Sequence, residues 1–557
     1  MLEFLQRVAV VLTLVGGAAF ALSLEDHGLL VRLRRRFVLG VPWGTVVTVL
    51  GVLAVYLFVQ GGYTHWYRPV VIPFRAWSYL APLGMLTAGF AHAGPGHLLG
   101  NLFGTVALAP IVEYAFGHFP RERGASSFGS LQTNPYVRAL LVFPATVAIV
   151  GVTLTLFTLG PVIGFSGVVF AFAGFALVRY PFGTVLALVG SDVIGQTYRA
   201  LQNPTSTVSG RSVFITPWWS NIAIQGHAIG LLVGVLLGAV YLRHSEEPSP
   251  SPARLWAGVV LVGTMQSLWA VYWYRGGTEF VLFRALGTVI VAVTAVLIVV
   301  SVAGSDRPLT ERFGALLDRD ENAPEEAAEG DWASVSARQV GVTTLVLVAA
   351  LLAGPAIPVN LLTAAGGVPG DPVTVDGYEV TYAENVTNGM VSAIPVEAFG
   401  ESTQVNTSGV IVRNEDRNIW ITAVSKGKLA SSGRARVVVG GVGWRDELLV
   451  TRGGWQAVDG GTAYRVRLTH DGRTRTAYTS GPARADLRLA GNNVSVVPEN
   501  GTFVLSLTGQ NRTLSAPIPQ QNSSVTLGNV TFIRENAKVV ASYDGTRVTV
   551  LRKERYN

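Results

Sequence analysis

Along the chain, long apolar runs separated by short polar interruptions continue to about residue 360, after which the pattern becomes short and alternating. A helix rising 1.5 Å per residue needs roughly 20 apolar residues to cross about 30 Å of hydrocarbon. Runs of that kind fall near 5–23, 43–62, 81–116, 139–159, 164–179, 182–197, 221–243, 254–274, 280–303 and 339–358, and predict about ten membrane-spanning helices. The 81–116 run is too long for one plain span and implies an interfacial lead-in before its helix; the 182–197 run is short. From residue 360 onward, GVIVRNEDRNIWITAVS, ARVVVGGVGW, TAYRVRLTH and KVVASY are β-branched runs joined by Asp-Gly or Gly-rich turns. That spacing predicts antiparallel hairpins, and hence a β-rich, sandwich-like C-terminal domain or two small ones.

Composition moves the chain further from an ordinary soluble protein. Of its 557 residues 49% are hydrophobic and only 14% charged, with mean hydropathy +0.41. Soluble domains carry about 25% charged residues. With no cysteine, disulfides, thiolate metal sites and cysteine nucleophiles are excluded; no metal or cofactor is expected. The net charge of +7 is expected to reside in cytoplasmic arginines, and no basic, aromatic-interleaved patch points to nucleic acid.

Those arginines set an expected orientation. Arg32, Arg34, Arg35 and Arg36 follow the first run and belong inside, which puts the N-terminus outside. Alternation then places Arg121, Arg123, Arg138, Arg179, Arg243 and the charged segment 304–338 inside, and everything after about residue 359 outside. The sequons at Asn385, Asn406, Asn493, Asn500, Asn511, Asn522 and Asn529 all lie in that exterior tail. A cysteine-free, arginine-rich chain of this kind fits an archaeal plasma membrane. The expected organisation is an extra helix and basic loop over 1–42, a six-helix core over 43–243, two further helices over 244–303, an acidic cytoplasmic linker over 304–338, a last helix over 339–358 and the exterior domain over 359–557.

Polar residues inside spans are costly, and therefore informative. In FAHAGPGHLLGNLFG, Pro95 and Gly96 suit a helix start, which puts His97 and Asn101 at i and i+4 on one face, with His92 just upstream. In GFSGVVFAFAG, Ser166 stands between Gly164-Phe165 and Gly167. In QGHAIGLLVGVLLG, His227 begins a helix with glycines at 226, 230, 234 and 238, a spacing that lets a neighbouring helix approach closely. All three stretches reach the same expected depth, near the outer face. A histidine could then take the proton of a serine hydroxyl, while His97, Asn101 and the Ser166 N–H donate to a developing oxyanion. Each feature alone has a packing explanation; their convergence at one depth does not.

On these residues the chain resembles the rhomboid intramembrane serine proteases. The resemblance rests on Gly164-Phe165-Ser166-Gly167 with Phe170 and Gly174 following, His97-x-x-x-Asn101 with His92 upstream, Gly226-His227-x-x-Gly230, and Glu113 at the inner end of its helix. It covers roughly residues 43–243. It implies an α-helical polytopic fold with a rhomboid-like six-helix core, here with about four extra spans and the β-rich exterior domain. It also implies a Ser166–His227 dyad, His227 stacked on Phe170, His97 and Asn101 with Gly164 at the oxyanion site, and His92, Gly167 and Gly230 in support. The implied partners are transmembrane protein substrates within the lipid bilayer, the enzyme a multi-pass protein of the cell membrane. One departure is visible: Trp77 is followed by Ser78 where the family often carries Arg, which puts the anchoring of the loop before residue 95 in question. The alternative reading is a proteolytically inactive rhomboid-like binding module. A transporter would need charged residues within the core spans, and only Glu113 stands clearly there.

Overall fold

In the computed structural model of the chain, residues 1–24, 28–119, 125–205, 215–245, 248–309, 335–362, 367–393, 395–398, 400–499 and 501–556 are described. Arg121, Arg123, Asn500 and most of the acidic segment lie outside them. Each apolar run holds a helix: α1 (Leu2–Leu24), α2 (Trp43–Val59), α3 (Pro95–Phe116), α4 (Pro135–Leu156), α5 (Ser166–Arg179), α6 (Pro181–Gln202), α7 (Ile224–Ser245), α8 (Pro252–Met265), α9 (Arg284–Ala303) and α10 (Ala337–Leu361). Five of these, α3, α4, α7, α9 and α10, are long and apolar enough to cross a membrane on their own. The 81–116 run divides into a short helix, Pro82–Thr87, and α3, so the lead-in is real.

Two contacts set the frame of the helical core. The Glu113 carboxylate, buried near the C-terminal end of α3, accepts hydrogen bonds from the N–H groups of Gly44 and Thr45 and from Thr45 Oγ1, each at 2.7 Å. Those amides open α2, where no intrahelical acceptor exists, so an anion there satisfies them. His118 Nε2 lies 2.6 Å from the same carboxylate, while its Nδ1 accepts from the Val38 N–H at 3.0 Å. Nδ1 is thus the acceptor and Nε2 the donor, and a neutral imidazole completes the network. The second contact is the seam between α5 and α7. A Cβ on Gly230 would sit 2.2 Å from the Gly167 carbonyl oxygen, one on Gly234 2.0 Å from that of Ala171, and one on Gly174 2.1 Å from that of Leu231. The two backbones touch along the whole seam, which only glycine permits.

The helix expected over 254–274 is shorter than its apolar run. α8 stops at Met265, and the aromatic stretch beyond it pairs as a hairpin, β1 (Tyr272–Gly276) with β2 (Glu279–Leu282). Gly276 and Gly277, at φ +97° and +57°, supply the left-handed turn that a tight hairpin needs. An aromatic run bounded by Gly-Gly satisfies strand and span patterns equally, and the turn decides.

The tail is mostly strand, with a short helix at Lys426–Ser432. β3 (Val373–Val375), β4 (Tyr378–Thr387), β7 (Asn406–Asn414) and β8 (Ile419–Ser425) form one sheet, with β5 (Glu397–Ala398) and β6 (Glu401–Ser402) a small hairpin between them. β9 (Arg434–Gly441), β10 (Trp444–Ala457), β11 (Thr462–His470) and β12 (Arg473–Thr479) join β17 (Ser524–Leu527), β18 (Val530–Glu535), β19 (Lys538–Tyr543) and β20 (Thr546–Lys553) in an eight-stranded sheet. β13 (Ala483–Leu489), β14 (Asn492–Glu499), β15 (Thr502–Thr508) and β16 (Thr513–Pro517) make a third. Two large apolar cores result, with a smaller cluster of Ala383, Ile411 and Trp420 besides, and the long β10 belongs to both large ones: Leu448 and Val450 pack in the first, Trp455 and Ala457 in the second.

The first of those cores also contains Ile72 and Trp77, from the loop between α2 and α3. The β-rich domain is therefore packed directly on that loop, and Arg445 Nη2 donates to the Arg68 carbonyl at 3.0 Å. Phe74 and Trp77 are buried, whereas Tyr63 and Tyr67 remain exposed.

Candidate active site

Ser166 is the first residue of α5, so its own N–H and that of Gly167 fall in the opening turn, where helical amides have no intrahelical acceptor. The glycine seam brings α7 against this end, and His227 Nε2 lies 2.8 Å from Ser166 Oγ. The His227 ring stacks on Phe170, one turn below the serine, with centroids 4.3 Å apart and planes 15° from parallel. Its buried Nδ1 has no hydrogen-bond partner. Ring orientation is therefore set by the Phe170 face and the Ser166 contact, and not by a carboxylate. Gly167 leaves room for Leu154, whose Cδ1 would lie 3.3 Å from a Cβ there, and Gly230 faces the Gly167 backbone as described.

Opposite the serine stand the residues at the top of α3. Gly164, at φ +127°, has a backbone conformation that side chains avoid; a Cβ on it would meet His97 Cε1 at 2.4 Å, His97 Nε2 at 2.6 Å and Asn101 Nδ2 at 3.5 Å. Its N–H donates to the Ala88 carbonyl at 2.8 Å. The bare glycine thus sets the wall of a space that His97, Asn101 and the start of α5 enclose. Asn101 Nδ2 lies 3.0 Å from His92 Nε2. His92 is held through its backbone: its N–H donates to Gln60 Oε1 at 2.7 Å and its carbonyl accepts from Gln60 Nε2 at 2.8 Å. The His92 and His97 rings meet edge to face at 5.1 Å.

Ser166, His227, His97, Asn101 and Phe170 line one cavity of about 470 Å³ between α3, α5, α6 and α7. Polar side chains make up about half of its lining, and the polar groups of α3, α5 and α7 converge on the serine. Such an arrangement can pass a proton from serine to histidine and receive a negatively charged oxygen.

The comparisons bear on the same part of the chain. Residues 77–244 match the family model of the rhomboid domain. That segment of the chain is a rhomboid domain. No curated protein and no solved structure matched it. The match opens at Trp77 and closes with α7, so α1, α2, the three later helices and the β-rich domain lie outside it; it gives no support to an archaeal host.

Several polar residues around the rhomboid domain were not singled out in the sequence. Gln60 braces His92. Asn360, at the C-terminal end of α10, accepts through its carbonyl from Ser78 Oγ and from the Tyr79 N–H, both at 2.9 Å. Its Nδ2 donates to the Leu156 and Thr158 carbonyls at 3.4 and 3.2 Å. The loop position that lacks arginine is thus anchored by the last helix, and Arg75 Nη1 adds a bond to the Pro161 carbonyl at 2.9 Å. Gln225, beside Gly226, donates to the Leu352 carbonyl at 2.7 Å and accepts from the Leu159 N–H at 2.9 Å. The expectation that Glu113 is the one clearly charged residue in the core spans is corrected: Asp192 lies mid-way along α6 and lines the cavity, as does Arg199. For Gln60, Asp192 and Gln225 the signal was present, a polar side chain inside an apolar run.

Proposed function

We propose that this rhomboid-family protein is an intramembrane serine endopeptidase that hydrolyses peptide bonds in or near transmembrane segments of other membrane proteins. The observation that carries the reading is the 2.8 Å approach of His227 Nε2 to Ser166 Oγ, with the imidazole stacked on Phe170. A hydroxyl this close to an accepting imidazole can be deprotonated as it attacks.

In the proposed reaction Ser166 Oγ adds to the scissile carbonyl carbon while His227 Nε2 takes the hydroxyl proton. The carbonyl oxygen becomes an oxyanion that the Ser166 N–H, His97 and Asn101 stabilise, each donor contributing about 3 kcal/mol. Collapse expels the amine, which leaves with the proton from His227, and an ester to Ser166 remains. A water from the cavity then gives its proton to His227 and attacks the ester. The acid product departs, and the proton returns to Ser166. Gly164 and Gly167 keep the approach to the serine open. By the arginine distribution the site opens toward the outer face, with the β-rich domain on the same side. The acid–base steps as written draw on Ser166, His227 and water.

The test is cleavage of a single-span model substrate by the reconstituted full-length protein. Product formed by the wild type and lost in Ser166→Ala and His227→Ala supports the reading. A folded wild type that binds such substrates without cutting them would replace it with the binding-module alternative.

A further inference from the structure

α6 presents one continuous stripe to the cavity: Leu188, Ser191, Asp192, Gly195 and Arg199. These positions recur at three- and four-residue steps, one face of a helix. α5 and α6 meet at their inner ends through Tyr180, which lies between Arg179 and Pro181. Counting upward at 1.5 Å per residue puts Ser166 roughly 20 Å and Asp192 about 17 Å above that turn. The carboxylate and the nucleophile therefore sit at nearly the same depth on facing walls of one cavity. Among the described residues nothing hydrogen-bonds or ion-pairs with Asp192. Arg199 is not its partner: two turns further out, its Nε and Nη2 bond Gln196 Oε1 at 3.3 and 3.1 Å. A carboxylate at this depth is costly unless a partner or water meets it.

We infer that Asp192 is a specificity-determining residue that selects substrates carrying a lysine or arginine side chain close to the bond cut at Ser166. The inference rests on the proteolytic reading. The long aliphatic stem of such a side chain can lie along Leu188, Val169 and Phe170 while its cationic head reaches the carboxylate. A glutamate in the same place would meet a like charge and be rejected. Asp192 touches neither the reacting carbonyl nor the leaving group in this account, so its effect falls on which substrate is chosen.

The experiment uses the full-length protein in lipid vesicles and a single-span model substrate with alanines at the cut. Lysine, glutamine or glutamate is placed in turn at successive positions around the cut, and kcat/KM is measured for each. At one position lysine is expected to exceed glutamate by about tenfold or more, the worth of one charge-assisted hydrogen bond. That ratio should fall toward one in Asp192→Asn and invert in Asp192→Lys. Ratios within one variant are insensitive to how much protein folds. Cleavage without a lysine preference in the wild type overturns the inference while leaving the proteolytic reading intact, as does a preference that persists in both variants. A folded wild type that fails to cut any substrate overturns both.

Discussion

Gly230→Ala probes how the fold makes the site. Gly230 lies one turn below His227 on α7, and Gly167 directly follows Ser166 on α5. The added methyl would sit 2.2 Å from the Gly167 carbonyl oxygen, 3.1 Å from its carbonyl carbon and 3.3 Å from its Cα. Backbone atoms at that contact have no rotamer through which to escape, so the helices must separate by about 1 Å before an ordinary contact is restored. Overpacking of this kind costs about 1–3 kcal/mol of stability. The same displacement carries the 2.8 Å contact between His227 and Ser166 beyond hydrogen-bond reach. Loss of the base lowers the rate by about 10²–10⁴-fold. Thermal unfolding reads the first effect, and the rate of labelling by a fluorophosphonate the second. Gly238→Ala is the companion: at the end of the same seam away from the dyad its methyl meets Val178 Cβ at 3.0 Å, so it should lower stability modestly and leave labelling alone. A Gly230→Ala protein that unfolds earlier yet labels at the wild-type rate would refute the link between seam and site.

Other consequences follow from individual contacts. Phe170→Ala removes the surface under the His227 ring; labelling should slow about tenfold or more, given that aromatic stacking contributes about 0.5–1.5 kcal/mol before any loss of orientation. Asn101→Ala should cost about 10²–10³ in kcat with substrate binding little altered, and an equal rise in KM alone would remove Asn101 from the oxyanion site. Asn360→Ala strips donors from the Leu156 and Thr158 carbonyls and should lower stability by about 1–3 kcal/mol; an unchanged Tm would show that the loop before α3 has another anchor. The contact between Arg275 and Glu401 should depend on pH. Its hydrogen bond from the guanidinium, Nε to Oε2 at 2.7 Å, holds the Glu401 carboxyl below its ordinary value of 4.5. A lowered folded value means the contact stabilises above the unfolded value and is lost as pH falls through the folded one. Hydrogen exchange corrected for intrinsic rate should therefore rise in β1 and β6 below about pH 4.5, and not in Arg275→Gln, which should be equally open at neutral pH.

What the sequence revealed of this architecture was whatever depends on local spacing. The glycines at 226, 230, 234 and 238 announce a close helix contact because only backbone-to-backbone packing needs them. The tail was legible through its turns. Asp376-Gly377, Asp471-Gly472 and Asp544-Gly545 all have both residues at positive φ, the conformation that joins two strands with two residues. The aromatic run 272–282 misled because β-branched and aromatic residues serve a strand or a span equally well. The Ser78–Asn360 anchor joins residues 282 positions apart, and no pattern along the chain foreshadows such a pairing. The packing of Trp77 into a core of the β-rich domain was hidden for the same reason. Asp192 escaped notice because the 182–197 run looked marginal as a span; α6 extends to Gln202 and carries the charge at its middle.

Placement of the tail on the loop between α2 and α3 also changes what that domain can be. Its first core shares Ile72 and Trp77 with the loop, and β1 reaches β6 through Trp273 Nε1, which donates to the Ser402 carbonyl at 3.1 Å. Tyr272 Oη in turn donates to the Ser220 carbonyl at 2.9 Å, in the segment leading into α7. The domain is thereby packed on the loop before α3 and linked through β1 to the segment before α7, and removing it uncovers Trp77 of the rhomboid domain.

The most direct test of the central claim is to expose the purified full-length protein to a fluorophosphonate and locate the adduct by peptide mass spectrometry. The account predicts a single adduct on Ser166, absent in Ser166→Ala and lost in His227→Ala while the fold is retained. A folded wild type that stays unmodified, or an adduct on another residue, would contradict it.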